Sequence, residues 1–186
     1  MNKKVLFINT IIIFLSLFLF HNIYNLFPNF LTSFLFPVNE SLFEHLKLMF
    51  TSEIIISLIT LLILKLKNIK FSNYILGLLI GVIVTISLFF LIYLPIYNRY
   101  GENLILTMTI YLITLIVGNI IFYLISKRKH NYLINSISLV IIIVITGILG
   151  YLTYNPVKTP FFFDPINKIY GIKNIKKMSF KKIVKV

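Results

Sequence analysis

Five apolar runs of about 20 residues or more constrain the fold of this chain more than any other feature. A helix rises 1.5 Å per residue, so about 20 residues cross a hydrocarbon layer of about 30 Å. The runs predict an all-α polytopic membrane bundle of about five transmembrane helices, over about residues 5–27, 41–64, 71–97, 103–126 and 132–154. We expect one transmembrane domain, residues 1–172, followed by a lysine-rich tail, residues 173–186.

The composition agrees with a membrane protein and excludes several kinds of chemistry. Hydrophobic residues make up 59% of the 186 residues and charged residues only 12%, against roughly 45–50% and about 25% in soluble domains. The chain has no cysteine, which removes disulfides, thiolate metal sites and cysteine nucleophiles. No HExxH, GxSxG, Walker or GxGxxG signature is present, and the sequence identifies no cofactor.

The basic residues indicate partners and orientation. The net charge is +13, but most basic residues cluster between apolar runs, where they meet anionic headgroups; we therefore expect membrane lipids rather than nucleic acid as partners. In a five-span topology Lys3, Lys4, "KLKNIK" and "KRK" share one side. The positive-inside rule then predicts a cytoplasmic amino terminus in the cytoplasmic membrane.

Two features complicate this topology. Five spans place the basic tail on the side opposite the other lysines, against the same rule. Pro28 and Pro37 bracket an apolar stretch that we expect to form a lid or hairpin at the outer surface, since neither proline fits a regular helix. If "NFLTSFLFPV" within it dips into the membrane as a half-span, the tail returns to the inner side.

The third span contains a glycine pattern that favours close helix packing. Gly77 and Gly81 are four residues apart in "GLLIG", and such spacing lets two helix backbones approach each other. The pattern is more often used within a bundle than for dimerisation, so we expect internal packing.

The stretch "FPVNESLFEHLKLMF" concentrates the polar residues of this apolar chain. Asn39 is a plausible N-cap of the second span, with Glu40 in the first turn, where the helix dipole favours a negative charge. Glu40 and Glu44 then share a helix face and repel each other. Lys47 lies on the same stripe and is expected to pair with Glu44, which leaves one carboxylate for a proton, a metal ion or a cationic partner.

Counting residues from the span ends places a second group of polar side chains at one depth. His21, Glu44 and His45 should lie at about the same height near the outer surface. Two histidines and a carboxylate form a donor set that zinc or iron accepts. Glu44 and His45 are adjacent and point about 100° apart on a helix, so His21, Glu44 and His45 can ligate one metal only after local distortion.

Glu53 is the single acid within a span, near the middle of the bilayer. An acidic side chain at that depth is costly and normally faces the bundle interior or water. Two interpretations remain open: a carrier of protons or ions, or a protonated packing residue hydrogen-bonded to a neighbouring hydroxyl or to Asn119.

The sequence resembles an uncharacterised family, a domain of unknown function, of small bacterial multi-pass membrane proteins that carry a VNES-x-x-EHLKL segment after the first span. The closing segment "TYNPVKTPFFFDPINKIYGI" is similar to that of the family, and the resemblance extends to Ile172. It implies no activity or cofactor. The positions it marks are Asn39, Glu40, Ser41, Glu44, His45, Lys47, Asp164, Pro165, Tyr170 and Gly171. Both segments fall outside in the five-span topology, so they can meet.

Three hypotheses for function follow. The favoured one is a non-enzymatic membrane protein whose outer polar cluster binds a cation, a lipid headgroup or a partner protein. The second is a membrane-embedded metal-dependent hydrolase or transferase, and the third is a proton or ion transporter that uses Glu53. The candidate residues of the cluster are Asn39, Glu40, Ser41, Glu44, His45, Lys47, His21, Glu53 and Asp164.

Overall fold

A computed structural model of the chain describes residues 3–69, 72–101 and 103–172. These residues form five long helices, one short helix, a 3₁₀ turn and a small hairpin. The elements are α1 Lys3–Leu26, α2 Phe30–Leu35, α3 Leu42–Leu66, α4 Tyr74–Tyr100, α5 Leu104–Ser126, α6 Tyr132–Tyr154, the 3₁₀ turn Pro160–Phe162, β1 Phe163–Asp164 and β2 Ile169–Tyr170. The predicted lysine-rich tail, residues 173–186, lies outside the described residues.

The five long helices confirm the predicted all-α membrane bundle. Each has 23 to 27 residues and is apolar enough to cross a membrane. Their ends differ from the predicted ones by at most three residues. The stretch between Pro28 and Pro37 contains α2, begun by a capping box in which the side chains of Asn29 and Thr32 bond each other's backbone. With six residues, α2 is about 9 Å long and adds no half-span.

Side-chain contacts show that consecutive long helices run antiparallel. His21, late in α1, lies beside His45, early in α3, and Asn9, early in α1, donates to Ser57, late in α3. The bundle therefore has two distinct ends. The end formed by the last turns of α1, α4 and α6 and the first turns of α3 and α5 is called the polar end below. The opposite end, which carries the basic residues Lys65, Lys67, Lys127, Arg128 and Lys129, is called the basic end.

Glycines set the tight contact between α4 and α5. A Cβ on Gly118 would lie 2.6 Å from the carbonyl oxygen of Gly81 and would collide with Thr85, and a Cβ on Gly81 would lie 3.0 Å from the Gly118 carbonyl. A Cβ on Gly77 would lie 2.8 Å from both the carbonyl oxygen and the ring of Phe122. The predicted use of the GLLIG pattern for internal packing is confirmed.

The chain after α6 folds back over the polar end. Residues 155–172, called the closing segment below, stack the Phe162 ring on the Phe43 ring of α3, with 4.4 Å between their centroids and 24° between their planes. The β1–β2 hairpin follows, with Phe163 opposite Tyr170. Gly171 ends it with φ +62°, and a Cβ there would lie 2.7 Å from the carbonyl oxygen of Thr153. A glycine is therefore required where the hairpin meets the end of α6.

Candidate functional site: a histidine–glutamate cluster at the polar end

The start of α3 differs from the prediction by two residues. Ser41, not Asn39, is the N-cap, and its hydroxyl accepts the Glu44 backbone N–H at 3.3 Å. Asn39 makes two other hydrogen bonds. Its amide oxygen accepts the Ser41 N–H at 2.9 Å, and its amide nitrogen donates to the Gly171 carbonyl at 2.9 Å. Glu40 therefore belongs to the loop before α3 rather than to its first turn. The predicted Glu40–Glu44 stripe on one helix face does not form.

Glu44 and Lys47 form the predicted ion pair, and it is buried. The Lys47 Nζ lies 2.6 Å from Glu44 Oε2, and each side chain is only 1% exposed. Lys47 also donates to the Thr153 hydroxyl at 2.6 Å and to the Ser33 carbonyl at 3.0 Å, while Thr153 donates to Glu44 Oε1 at 2.9 Å. A buried pair needs such additional hydrogen bonds to offset the loss of water. The network joins α3 to α2 and α6.

Three other side chains from three segments meet beside this pair. Glu40 Oε2 lies 3.3 Å from His21 Nε2 of α1 and 3.5 Å from His45 Nε2 of α3. One ligand atom from each residue falls within 4.8 Å of the other two. The three side chains are between 29% and 32% exposed, so the group is accessible from solvent. His21, Glu40 and His45 are called the histidine–glutamate cluster below.

The backbone of α3 fixes the orientation of the His45 ring. Its Nδ1 lies 3.0 Å from the Ser41 carbonyl oxygen, which can only accept a hydrogen bond. Nδ1 is therefore the protonated nitrogen. In the neutral ring the Nε2 lone pair is then directed at Glu40 Oε2.

The closing segment holds Glu40 in place through its main chain. The Glu40 backbone N–H donates to Asp164 Oδ2 at 3.3 Å, and Asp164 is fully buried. Burial by itself would raise the pKa of the Asp164 carboxyl, but hydrogen bonds from Asn167, Glu40 and Ile166 outweigh it and lower that pKa. Asp164 thus remains an anion that accepts from the loop. The predicted meeting of the two distinctive segments is present in the structure.

Glu40 itself is an anionic group at neutral pH. Its polar contact with the His21 ring is the largest influence on the pKa of its carboxyl and lowers it. Desolvation and the neighbouring Asp164 act in the opposite direction without reversing the shift. The cluster therefore presents one full negative charge between two imidazole rings.

Of the metal-ligand candidates named from the sequence, His21 and His45 come together in the structure and Glu44 does not. Glu44, proposed with His21 and His45, points away from His45 around α3 and is occupied by Lys47. Glu40 lies with the two histidines instead, because it precedes the helix and its side chain turns back between the two rings. Glu44 and His45 point about 100° apart around the helix. Because Glu40 and not Glu44 lies beside His45, the three side chains meet without any distortion of α3.

Glu53 lies apart from the cluster, eight residues further along α3. It is buried in the bundle interior, where the Thr85 hydroxyl donates to its Oε2 at 3.3 Å. The expected hydroxyl partner is present, whereas the Asn119 amide nitrogen bonds nothing among the described residues. The other Glu53 oxygen and the Tyr111 hydroxyl also have no hydrogen-bond partner of normal geometry within that part of the chain. Glu53 and Thr85 thus form a polar contact between α3 and α4 in the bundle interior.

Two members of the polar network were missed from the sequence. Ser33 contributes only a backbone carbonyl to Lys47, and nothing in the local sequence indicates which carbonyl would be used. Thr153 carried a usable signal, since it is the first residue of the stretch "TYNPVKTPFFFDPINKIYGI" that resembles the family. Of the other marked positions, Pro165 lines a cavity beside Glu40 and Tyr170 pairs with Phe163 in the hairpin.

The fold and the cluster together define a class: a helical membrane bundle with two histidines and a carboxylate gathered at one end. A family model described as "Family of unknown function (DUF6512)" matches residues 1–172. The chain belongs to this family, as the resemblance indicated. No curated protein matches the chain, and no solved structure matches it.

Proposed function

We propose that this chain is a multi-pass protein of the cytoplasmic membrane that binds a transition-metal ion such as zinc between His21, Glu40 and His45. The observation that carries the proposal is the ring orientation of His45. With Nδ1–H on the Ser41 carbonyl, a neutral His45 directs a lone pair at a carboxylate oxygen. Two electron-rich atoms face each other favourably only when a proton or a metal ion lies between them.

The separations within the cluster support a metal better than hydrogen bonding. Two donor atoms about 2.0–2.1 Å from a tetrahedral ion lie about 3.3–3.4 Å apart. The separations from Glu40 Oε2, 3.3 Å to His21 and 3.5 Å to His45, are close to this value. A charged N–H···O bond would instead be about 2.7–2.9 Å long. Imidazole and carboxylate donors suit zinc and iron, and the chain offers no thiolate.

The surroundings of the ligands also fit a metal site. The Ser41 carbonyl fixes the His45 tautomer, and Asp164 anchors the backbone of Glu40. At metal centres, hydrogen bonds of this kind orient the residues that bind the metal directly. Three protein ligands leave a fourth position open, which favours a site that takes a further oxygen ligand.

Zinc content measured by mass spectrometry of purified protein tests the proposal. The full chain, purified with a tag that lacks histidine, is saturated with zinc and freed of excess metal. We expect about one zinc per chain in the wild type, and strong loss of zinc in His21→Ala, Glu40→Gln and His45→Ala.

The third histidine provides a matched control. His130 is exposed at the basic end, so His130→Ala should retain the wild-type zinc content. Equal zinc in all four variants would contradict the proposal, as would wild-type protein that stays metal-free under saturating zinc, iron and manganese.

A metal-dependent hydrolase is the second candidate, favoured by the open fourth position. Metal-activated hydrolysis usually also needs a general base near the bound water. Glu40 is the single carboxylate among the described residues that line the adjoining cavity, and it is itself a ligand. We therefore place binding ahead of hydrolysis. Zinc-dependent release of 4-nitrophenol from a long-chain 4-nitrophenyl ester, lost in His45→Ala, would reverse that order.

A further inference from the structure

A cavity of about 440 Å³ adjoins the histidine–glutamate cluster. Glu40 and His45 form one part of its wall, and most of the remainder is apolar or aromatic, including Met49, Phe89 and Phe161. Its volume lies in the range of about 300–1,000 Å³ typical of small-molecule sites, which combine apolar walls with a few polar groups. The cluster therefore opens onto a chamber of ligand size.

We infer that this cavity binds a long-chain amphiphile whose singly charged oxyanion head coordinates the metal ion at His21, Glu40 and His45. A fatty acid carboxylate is the simplest molecule of this class. The inference rests on the proposed metal site and specifies what occupies its open position.

The charge of the site determines the charge of the head. A divalent ion bound by one carboxylate and two neutral imidazoles leaves one net positive charge. No lysine or arginine is among the described residues that line the cavity. A monoanion would thus be neutralised by the metal alone, whereas a cationic head would face an uncompensated positive centre.

The walls determine the nature of the chain. Phe89 and Met49 are buried core residues, and Phe161 of the closing segment packs on Phe90 with ring centroids 5.6 Å apart. An extended hydrocarbon matches such a surface, since each methylene removed from water contributes about 0.8 kcal/mol. Leu94 and Met108, on α4 and α5, are lining residues that remain partly exposed, which places an opening at the flank of the bundle.

The visible absorption spectrum of the cobalt-loaded full chain tests the inference, because the spectrum of Co²⁺ changes when its ligands change. The protein is kept in a neutral maltoside detergent and titrated with laurate, with acetate and with dodecyltrimethylammonium. We expect laurate to change the spectrum at a concentration at least tenfold lower than acetate, and dodecyltrimethylammonium to leave it unchanged.

Tryptophan substitutions separate the cavity from the metal. Met108→Trp or Leu94→Trp should fill the cavity and weaken the laurate response at least tenfold, with cobalt content and acetate response unchanged. Ile113→Trp, on an exposed position of α5 outside the cavity lining, should behave as wild type. Two cavity variants are used so that a folding defect in one, seen by gel filtration, does not decide the result.

The contradicting outcomes are distinct. Cobalt that binds but does not respond to laurate, or a laurate response that survives both cavity variants, would overturn this inference alone. A response to dodecyltrimethylammonium equal to that for laurate would also overturn it. Failure to bind cobalt would overturn the metal site together with the inference.

Discussion

At the scale of single residues, two glutamates at the polar end have different roles. Glu44 is neutralised by Lys47 in a buried network, whereas Glu40, in the preceding loop, remains the free anion between His21 and His45. The position of the N-cap at Ser41 causes this difference. A helix that began two residues earlier would have placed Glu40 and Glu44 on the same helix face. The site thus depends on where the helix begins.

Replacing Glu40 by Gln should weaken zinc binding by more than about 100-fold. The amide keeps the size of the side chain but removes the negative charge, and the loss of a ligand should exceed the 10–100-fold typical of an outer contact. Competition with a fluorescent zinc chelator measures the affinity, with His130→Ala as the control. Equal affinities in Glu40→Gln and wild type would exclude Glu40 as a ligand.

Replacing Lys47 by Met should destabilise the protein strongly. The change leaves Glu44 buried without its partner, which costs about 3–5 kcal/mol for a pair of this kind. The double variant Glu44→Gln/Lys47→Met should recover much of the loss, because neither charge then remains. Thermal unfolding in detergent measures both; a double variant less stable than Lys47→Met would refute this explanation.

At the scale of elements, the closing segment positions the polar end and glycines set the distance between α4 and α5. Asp164 holds the Glu40 backbone and Gly171 accepts from Asn39, so the loop before α3 is tied to a segment more than 120 residues later. The α4–α5 contact is set by glycines deeper in the bundle. The closing segment therefore holds the loop that carries Glu40 beside His21 and His45.

Asp164→Ala should lower zinc affinity by about 10–100-fold without removing a ligand. The substitution frees the Glu40 backbone and the turn at Asn167, so the carboxylate loses its fixed position. The chelator competition described above measures the effect, and the affinity of Asp164→Asn, which keeps one acceptor oxygen, should lie between the two. An unchanged affinity in Asp164→Ala would show that the loop is held by other contacts.

Gly118→Ala should destabilise the bundle by about 1–3 kcal/mol, because the new methyl group collides with Gly81 and Thr85. Gly147→Ala is the matched control on α6, where a Cβ meets nothing within 4 Å. It should be neutral or stabilising by up to about 1 kcal/mol, as expected from helix propensity. Thermal unfolding of both variants decides; equal losses would argue against a tight α4–α5 contact.

The parts of the structure that were predictable are those determined locally. Hydropathy alone located the five helices, and the spacing of Glu44 and Lys47 gave the ion pair. Glu40 as the partner of the histidines was not predictable, because Asn39 and Ser41 are both good caps and the choice between them involves Gly171 and Asp164. The Thr153 contribution likewise depends on how α6 packs against α3.

At the scale of the whole molecule, the bundle separates its chemistry between two ends. The basic residues Lys65, Lys67, Lys127, Arg128 and Lys129 lie at the basic end, where Asn73 joins the loops by donating to the Arg128 and Lys129 carbonyls. The polar end carries three acids: Glu40 of the histidine–glutamate cluster, Glu44 and Asp164. By the positive-inside rule we expect the basic end to face the cytoplasm and the metal site to face outward.

Single cysteines test this orientation cleanly, because the chain has none of its own. His130→Cys lies at the basic end and Thr159→Cys in the closing segment, and both positions are exposed. A membrane-impermeant maleimide added to intact cells should label Thr159→Cys, whereas His130→Cys should react only after the cells are opened. The reverse pattern would place the site on the cytoplasmic side.

Zinc K-edge X-ray absorption of the zinc-loaded full chain tests the central claim most directly. The expected spectrum is that of a four-coordinate ion with two imidazole nitrogens and light oxygen ligands at about 2.0–2.2 Å. His45→Ala should lose imidazole scattering, and His130→Ala should not. A six-coordinate shell of oxygens without imidazole scattering, unchanged by His45→Ala, would show that zinc does not bind at His21, Glu40 and His45.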